Sequence, residues 1–279
     1  KFKTLGDIYT GTPAEKQGAI AIDAHYAANA IGATCTARPE DTEIAPDGSL
    51  YITFTSGSAD KESGPDKRIF KSPGGDLAYE LGWVMHLIEA GNDPAALTFR
   101  WQMAATGGEP CDGCGGFANP DNLLIDPKGN LWMVTDMLTS KHNGAVKSRS
   151  GQAGKVLDSS QLTGLFGNNS MWYMPTSGDD AGTAYLFALG PMECEMTGPY
   201  FNRDRTTLFL AVQHPGEANG ICKERATEAR ELVMKTTEGQ EFKQIRQVPI
   251  GSNWPTGDLN APPKPAVVAI YRRDGGAIS

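Results

Sequence analysis

Three acidic residues stand where a β-hairpin has no local need of them. Asp121 opens the stretch NPDNLLIDPKGNLWMVTD at 119–136, ahead of an apolar run, a Pro/Gly turn and a second apolar run. That pattern predicts two strands joined by a tight turn, and special chemistry is needed only at the tip. Glu40 opens a second copy, within TCTARPEDTEIAPDGSLYITFT at 34–55. It lies eight residues before Gly48, as Asp121 lies eight before Gly129. A looser third copy, CEMTGPYFNRDRTTLFLAVQH at 194–214, opens near Glu195, and its acid-to-leucine distance is three residues longer. A longer turn or a bulge must absorb the difference. If equivalent strand ends converge, the three carboxylates share one small volume. Crowded, unpaired carboxylates repel and their pKa values rise. A bound cation removes that cost, and oxygen-rich sites suit calcium and other hard cations. The alternative is three unrelated polar strand ends facing water.

The elements that must position these acids are strands. The copies recur at intervals of roughly 80 residues, with further strand-like runs at Trp83–Glu89, Thr98–Met103, Ser170–Met174, Ala184–Leu189 and Val267–Arg272. Repeated antiparallel units of this kind predict an all-β chain and, more specifically, a β-propeller. Equivalent strand ends of its blades meet at one face of a central channel. Residues 14–31 are alanine-rich, with Pro13 ahead and Gly32 behind, and predict one short N-terminal helix. His25 within it reads as a half-buried helical histidine before a ligand. Residues 222–236 (CKERATEARELVMKT) predict a helical insertion with a solvated charged face. Residues 56–80 and 137–169 read as polar, glycine-rich loops, and nothing marks a boundary between domains.

Composition narrows the function classes. A chain of 279 residues that is 39% hydrophobic can form one large domain or two ordinary ones. Its 33 glycines and 18 prolines fit many short strands and turns. With 25 basic against 33 acidic residues the net charge is −8, which argues against nucleic acid as a partner and suits a holder of cations. No apolar run approaches the roughly 18 residues of a membrane span, so no membrane partner is expected. The opening KFKTLGDIYTG lacks the apolar core of a signal peptide. Cysteines stand at 35, 111, 114, 194 and 222. The Cys111–Cys114 spacing reads as a local disulfide or loop thiols before zinc, because no second such pair exists and His142, the nearest downstream histidine, stands in a polar loop. No Gly-x-Ser-x-Gly elbow is present, and Ser170 follows Asn169 in a strand-like run.

Six ordered segments carry a resemblance: ATCTARPED (33–41), NPDNLLIDPKGNLWMVTD (119–136), GNNSMW (167–172), GPMECEMTGPYF (190–201), QHPGE (213–217) and AVVAIYRRDGG (266–276). Together they resemble the PhoX-type alkaline phosphatases over most of the chain. The resemblance implies a six-bladed propeller with iron (Fe3+) and calcium (Ca2+) clustered in the channel mouth, hydrolysing phosphate monoesters. It makes Arg38 the residue that grips substrate phosphate, a task suited to the planar fork of its guanidinium. It makes Glu40 and Asp121 metal ligands, with Asn122 beside Asp121, and has Glu195 and Glu217 complete the calcium side. His214 either takes part or only shapes the QHPGE loop. Members of the family are much longer, and this chain matches their C-terminal part, so the cysteine that binds iron lies elsewhere in the family sequence.

The strands here suffice for about three to four blades. Closing a ring then requires the missing N-terminal half, on this or another chain, or self-association, since open sheet edges invite pairing. A periplasmic or secreted protein is implied. Two functions compete: metal-assisted hydrolysis of phosphate monoesters, and a calcium-stabilised propeller module that binds without catalysis. A lactonase-like metal propeller would share the fold, but Arg38-Pro39-Glu40 and the QHPGE segment favour the phosphatase.

Overall fold

Short β-prone runs broken by Pro/Gly turns leave the chain little choice but local antiparallel pairing, and this is what it does. The computed structural model describes residues 9–56, 65–66, 68–70, 81–110, 113–143, 145–147, 162–164, 167–236 and 238–279. Cys111 and Asp112 of the CxxC segment, and much of the loops read at 56–80 and 137–169, lie outside the described residues. Strands β1 (Pro39–Ile44), β2 (Leu50–Phe54), β3 (Trp83–Glu89) and β4 (Phe99–Thr106) form a four-stranded sheet in chain order. The hairpin of β5 (Pro120–Ile125) and β6 (Leu131–Thr135) starts a second sheet. A small hairpin, β7 (Ala145–Lys147) with β8 (Leu162–Gly164), interrupts it before β9 (Ser170–Met174) and β10 (Tyr185–Leu189) complete four strands. The third sheet joins β11 (Glu195–Phe201), β12 (Thr207–Gln213) and, after a long excursion, β15 (Ala266–Tyr271). All of these pairings are antiparallel. The three acid-bearing copies are thus the first hairpins of three sheets. Their first strands are neighbours, β1 against β5 and β5 against β11.

The second sheet is covered on both sides. Along β6, Leu131 and Met133 pack towards the first sheet with Tyr51, Val84, Trp172 and Met174. The alternate residues Trp132 and Val134 pack towards the third sheet with Met196, Leu208, Leu210 and Val212. Every residue of β6 is buried, as expected of a strand with apolar layers on both faces. Each such side chain contributes about 1.5–3 kcal/mol on burial, so the hairpin that carries Asp121 is held from both faces.

Three expectations are corrected. The single helix read at 14–31 is two, α1 (Pro13–Ile22) and α2 (Ala24–Ile31). Thr12 caps α1 through a reciprocal pair with Glu15, and Pro13 occupies its first turn. The break falls at Asp23, whose backbone leaves the helical region (φ −109°, ψ 42°) and whose carboxylate accepts the Tyr9 hydroxyl at 3.2 Å. Aspartate is a weaker helix former than the alanines around it, and the Asp23 side chain makes no cap hydrogen bond to α2. Gly32 ends α2 in the left-handed conformation. His25 is exposed rather than half-buried.

The helix read at 222–236 is instead a 3-10 turn, Lys223–Arg225, followed by β13 (Thr227–Lys235), which pairs along its whole length with β14 (Glu241–Pro249). The charges at helical spacing could not reveal a partner strand, and pairing overrides weak helix propensity. Leu232 and Val248 are buried, while Arg230 turns back onto the carbonyl of His142.

Candidate metal centre

A bulge places each of the first two acids. In β1, Pro39 pairs with Phe54 and Thr42 with Ile52, so Glu40 and Asp41 together face Thr53. In β5, Pro120 pairs with Thr135 and Leu123 with Met133, so Asp121 and Asn122 together face Val134. The extra residue in a bulge re-aims side chains, and here it separates the two members of each pair. The second member reaches the neighbouring sheet. Asp41 Oδ2 accepts the Leu123 amide at 2.9 Å. Asn122 Oδ1 accepts the Gly198 amide at 2.9 Å and the Thr197 hydroxyl. Hydroxyls on β2 and just beyond it add to the seam, Thr53 donating to the carbonyl of Asp121 and Thr55 to that of Pro120. In the third copy the bulge lies further along, at Gly198-Pro199, and Glu195 pairs with Gln213 at the start of the strand. The longer acid-to-leucine distance is absorbed partly in β11 and partly in its turn.

Of the first members of the two pairs, Asp121 joins a carboxylate cluster and Glu40 stands beside it. Asp121, Asp136 and Glu195 each offer a carboxylate oxygen, and these oxygens lie within 4.8 Å of one another. Asp121 is buried and the other two are half-buried. Burial, followed by the charges of Glu40, Glu195, Asp136 and Asp41, pushes the Asp121 carboxyl up to about 7. Burial and Asp136 push Glu195 upward against the opposing pull of His214. Asp136 is raised by burial, with Glu217 adding to the rise and Arg38 and His214 working against it. Negative charge is therefore concentrated here beyond what the neighbouring cations compensate.

The remaining candidates ring the cluster. Arg38 Nη2 lies 2.8 Å from Glu40 Oε1 and 3.8 Å from Asp136 Oδ2, with 57% of its side chain exposed. His214 Nε2 is 3.2 Å from Glu195 Oε2, and its Nδ1 is 3.9 Å from Glu217 Oε2. Glu217 also accepts the Thr139 hydroxyl at 2.8 Å. Of the residues singled out from the sequence, Asp121 and Glu195 are in direct proximity. Glu40 adds its charge from the Arg38 side, Glu217 connects through His214, and Asn122 is engaged with β11.

Asp136 was missed. It follows β6 where the first copy has Thr55, counting from Leu131 and Leu50, and Thr55 is only a hydroxyl donor to the next sheet. An acid in place of that threonine was the available signal.

The donors present are carboxylates, a set that fits hard cations such as calcium. Cys194 does not extend it. Its thiol packs in the core with Met196, Phe201 and Leu208, and burial pushes it up to about 12. His142 is fully buried, its Nε2 3.0 Å from the Met137 carbonyl, and lies outside the group of three.

No curated protein matches the chain. A family model described as Alkaline phosphatase PhoX matches residues 7–216. Among solved structures, Pseudomonas fluorescens PhoX in complex with vanadate, a transition state analogue, is similar with a TM-score of 0.65 and 28% identity. That similarity covers 94% of this chain and 38% of the Pseudomonas chain. The structural likeness thus continues past Glu217, where the family match has ended. On the match over 7–216, the chain belongs to the PhoX alkaline phosphatase family.

Proposed function

We propose that the carboxylate cluster is the calcium-binding part of a phosphomonoesterase centre, with iron completing it, at the mouth of a β-propeller. The observation that carries the reading is the convergence of Asp121, Asp136 and Glu195, whose carboxylate oxygens lie within 4.8 Å of one another with Asp121 buried. Burial and the neighbouring charges push the Asp121 carboxyl upward. An arrangement that costs energy when empty of charge compensation is one that a cation stabilises. Three sheets whose first strands lie side by side suit consecutive blades of a propeller. The remaining blades would come from residues beyond those in this chain, on the same or another polypeptide, or from self-association. A periplasmic or secreted location belongs to the same proposal.

In this reading Asp121, Asp136 and Glu195 are the principal ligands, with Glu40 and Glu217 at the periphery. Asn122 acts as the clip that sets β5 against β11 rather than as a donor to the metal. Bound cations supply charge stabilisation to the phosphoryl oxygens. Arg38 presents its exposed guanidinium to the same oxygens, where its fork meets developing negative charge. Glu40 and Asp136 hold that guanidinium beside the cluster, and His214 orients Glu195 through the 3.2 Å contact. The Pseudomonas relative was solved with vanadate, a transition state analogue, and an oxyanion of that shape suits the Arg38 side of the cluster.

The test is hydrolysis of a chromogenic phosphate monoester. The expected result is turnover that chelation removes, that calcium and iron restore, and that Arg38→Ala lowers about 100-fold or more in kcat/KM. Full turnover in metal-stripped protein would sink the proposal. Calcium binding with no turnover under any metal condition would favour the binding module.

A further inference from the structure

Glu193 is fully buried and does not belong to the carboxylate cluster. It sits at a positive φ of 56°, two residues before Glu195. Among the described residues, the hydrogen bonds to its carboxylate come from two loops. Oε2 accepts the amides of Ala218 at 3.2 Å and Asn219 at 2.9 Å. Oε1 accepts Asn219 Nδ2 at 2.7 Å and the Gly251 amide at 2.9 Å. The backbone joins in, with the Glu217 amide donating to the Glu193 carbonyl and the Gly216 amide to that of Met192, both at 3.1 Å.

We propose that Glu193 is a positioning residue, whose carboxylate sets the 214–219 turn so that His214 and Glu217 reach the cluster. A buried carboxylate that accepts four N–H groups is a rigid anchor, because releasing any one of them leaves a desolvated donor or charge. The anchored turn carries His214, 3.2 Å from Glu195, and Glu217, 3.9 Å from His214. One strand end therefore provides Glu195 directly and fixes two further side chains through Glu193. Supporting residues of this kind typically change metal affinity about 10–100-fold when removed. The inference rests on the cluster being a cation site.

The experiment compares wild-type protein with Glu193→Gln, which keeps the volume but turns an acceptor oxygen into a donor. Hydrogen–deuterium exchange is read on metal-free protein at residues 214–220. Calcium is then titrated into both proteins, into Glu217→Gln and into the double variant. The expected result is faster exchange at 214–220, unchanged protection in β12 and β15, and calcium binding about tenfold weaker. In the Glu217→Gln background the same substitution should cost little more, since both act through one turn.

Unchanged exchange at 214–220 overturns the proposal. So does a loosened turn with wild-type calcium affinity, or a loss that adds in full to that of Glu217→Gln. If wild-type protein binds no calcium, the cation reading fails, and the exchange result alone decides whether Glu193 sets the turn. Should Glu193→Gln not fold, Asn219→Ala removes one donor from the exposed side, and the same exchange measurement applies.

Discussion

The Asp41 carboxylate accepts the backbone amide of Leu123 at 2.9 Å, so the residue next to one candidate ligand fixes the strand that carries another. Asn122 repeats the relationship one sheet further on, with the Gly198 amide. The spacing of Glu40, Asp121 and Glu195 is thereby set by side chains adjacent to them, through two bulges and two seams.

Removing the first seam should cost stability. Leu123 is buried, and Asp41→Ala leaves its amide without the carboxylate, a loss of about 1–3 kcal/mol. Glu40→Ala, which removes a partly exposed ion pair with Arg38, should cost less than about 1 kcal/mol. Urea denaturation in chelator checks the order. Equal effects of the two substitutions would contradict the seam.

The pH dependence has a definite sign. In the folded, metal-free protein Asp121 holds its proton to about 7, against an ordinary value of 3.8. Between those values the native state binds more protons than the unfolded state, so stability falls as pH rises. Asp136 and Glu195 shift in the same direction. Thermal denaturation in chelator should show Tm declining across that window, and saturating calcium should remove the decline. A Tm that climbs steadily through the same range in chelator would count against the crowded cluster.

Gly216 tests the turn from the backbone side. Its φ is +77°, and an added Cβ would stand 2.4 Å from the Gly220 carbonyl oxygen and 3.0 Å from Pro263 Cγ. Gly216→Ala therefore combines left-handed strain with a backbone clash and should cost roughly 1–3 kcal/mol. Guanidinium unfolding measures it. A neutral effect would mean that the turn is free to move, and that Glu217 is not held where the structure places it.

Much of this arrangement could be read in advance, for local reasons. A Pro/Gly turn between apolar runs dictates a hairpin, and an acid at its open end serves no turn, so Glu40, Asp121 and Glu195 stood out. What escaped notice depends on distant partners. Asp136 matters only because the pairing of β5 with β6 sets it opposite Asn119, within reach of Asp121, and because Glu195 arrives from another sheet. The seams of Asp41 and Asn122 follow from bulges, which a two-residue alternation cannot forecast. The 222–236 segment shows the same limit: its charges fit a helix, and only β14 makes it a strand. Two local signals were available as well: an acid at 136 where the first copy has Thr55, and Asp23, an aspartate in a run of alanines where the N-terminal helix divides.

The central claim is that the Asp121, Asp136 and Glu195 carboxylates form a cation site. Calorimetric titration of calcium into metal-stripped protein, wild type against Asp121→Asn, tests it most directly. The account predicts saturable binding by the wild type that the substitution abolishes, while raising metal-free stability at neutral pH by relieving the repulsion. Calcium binding of equal strength in both proteins would contradict it.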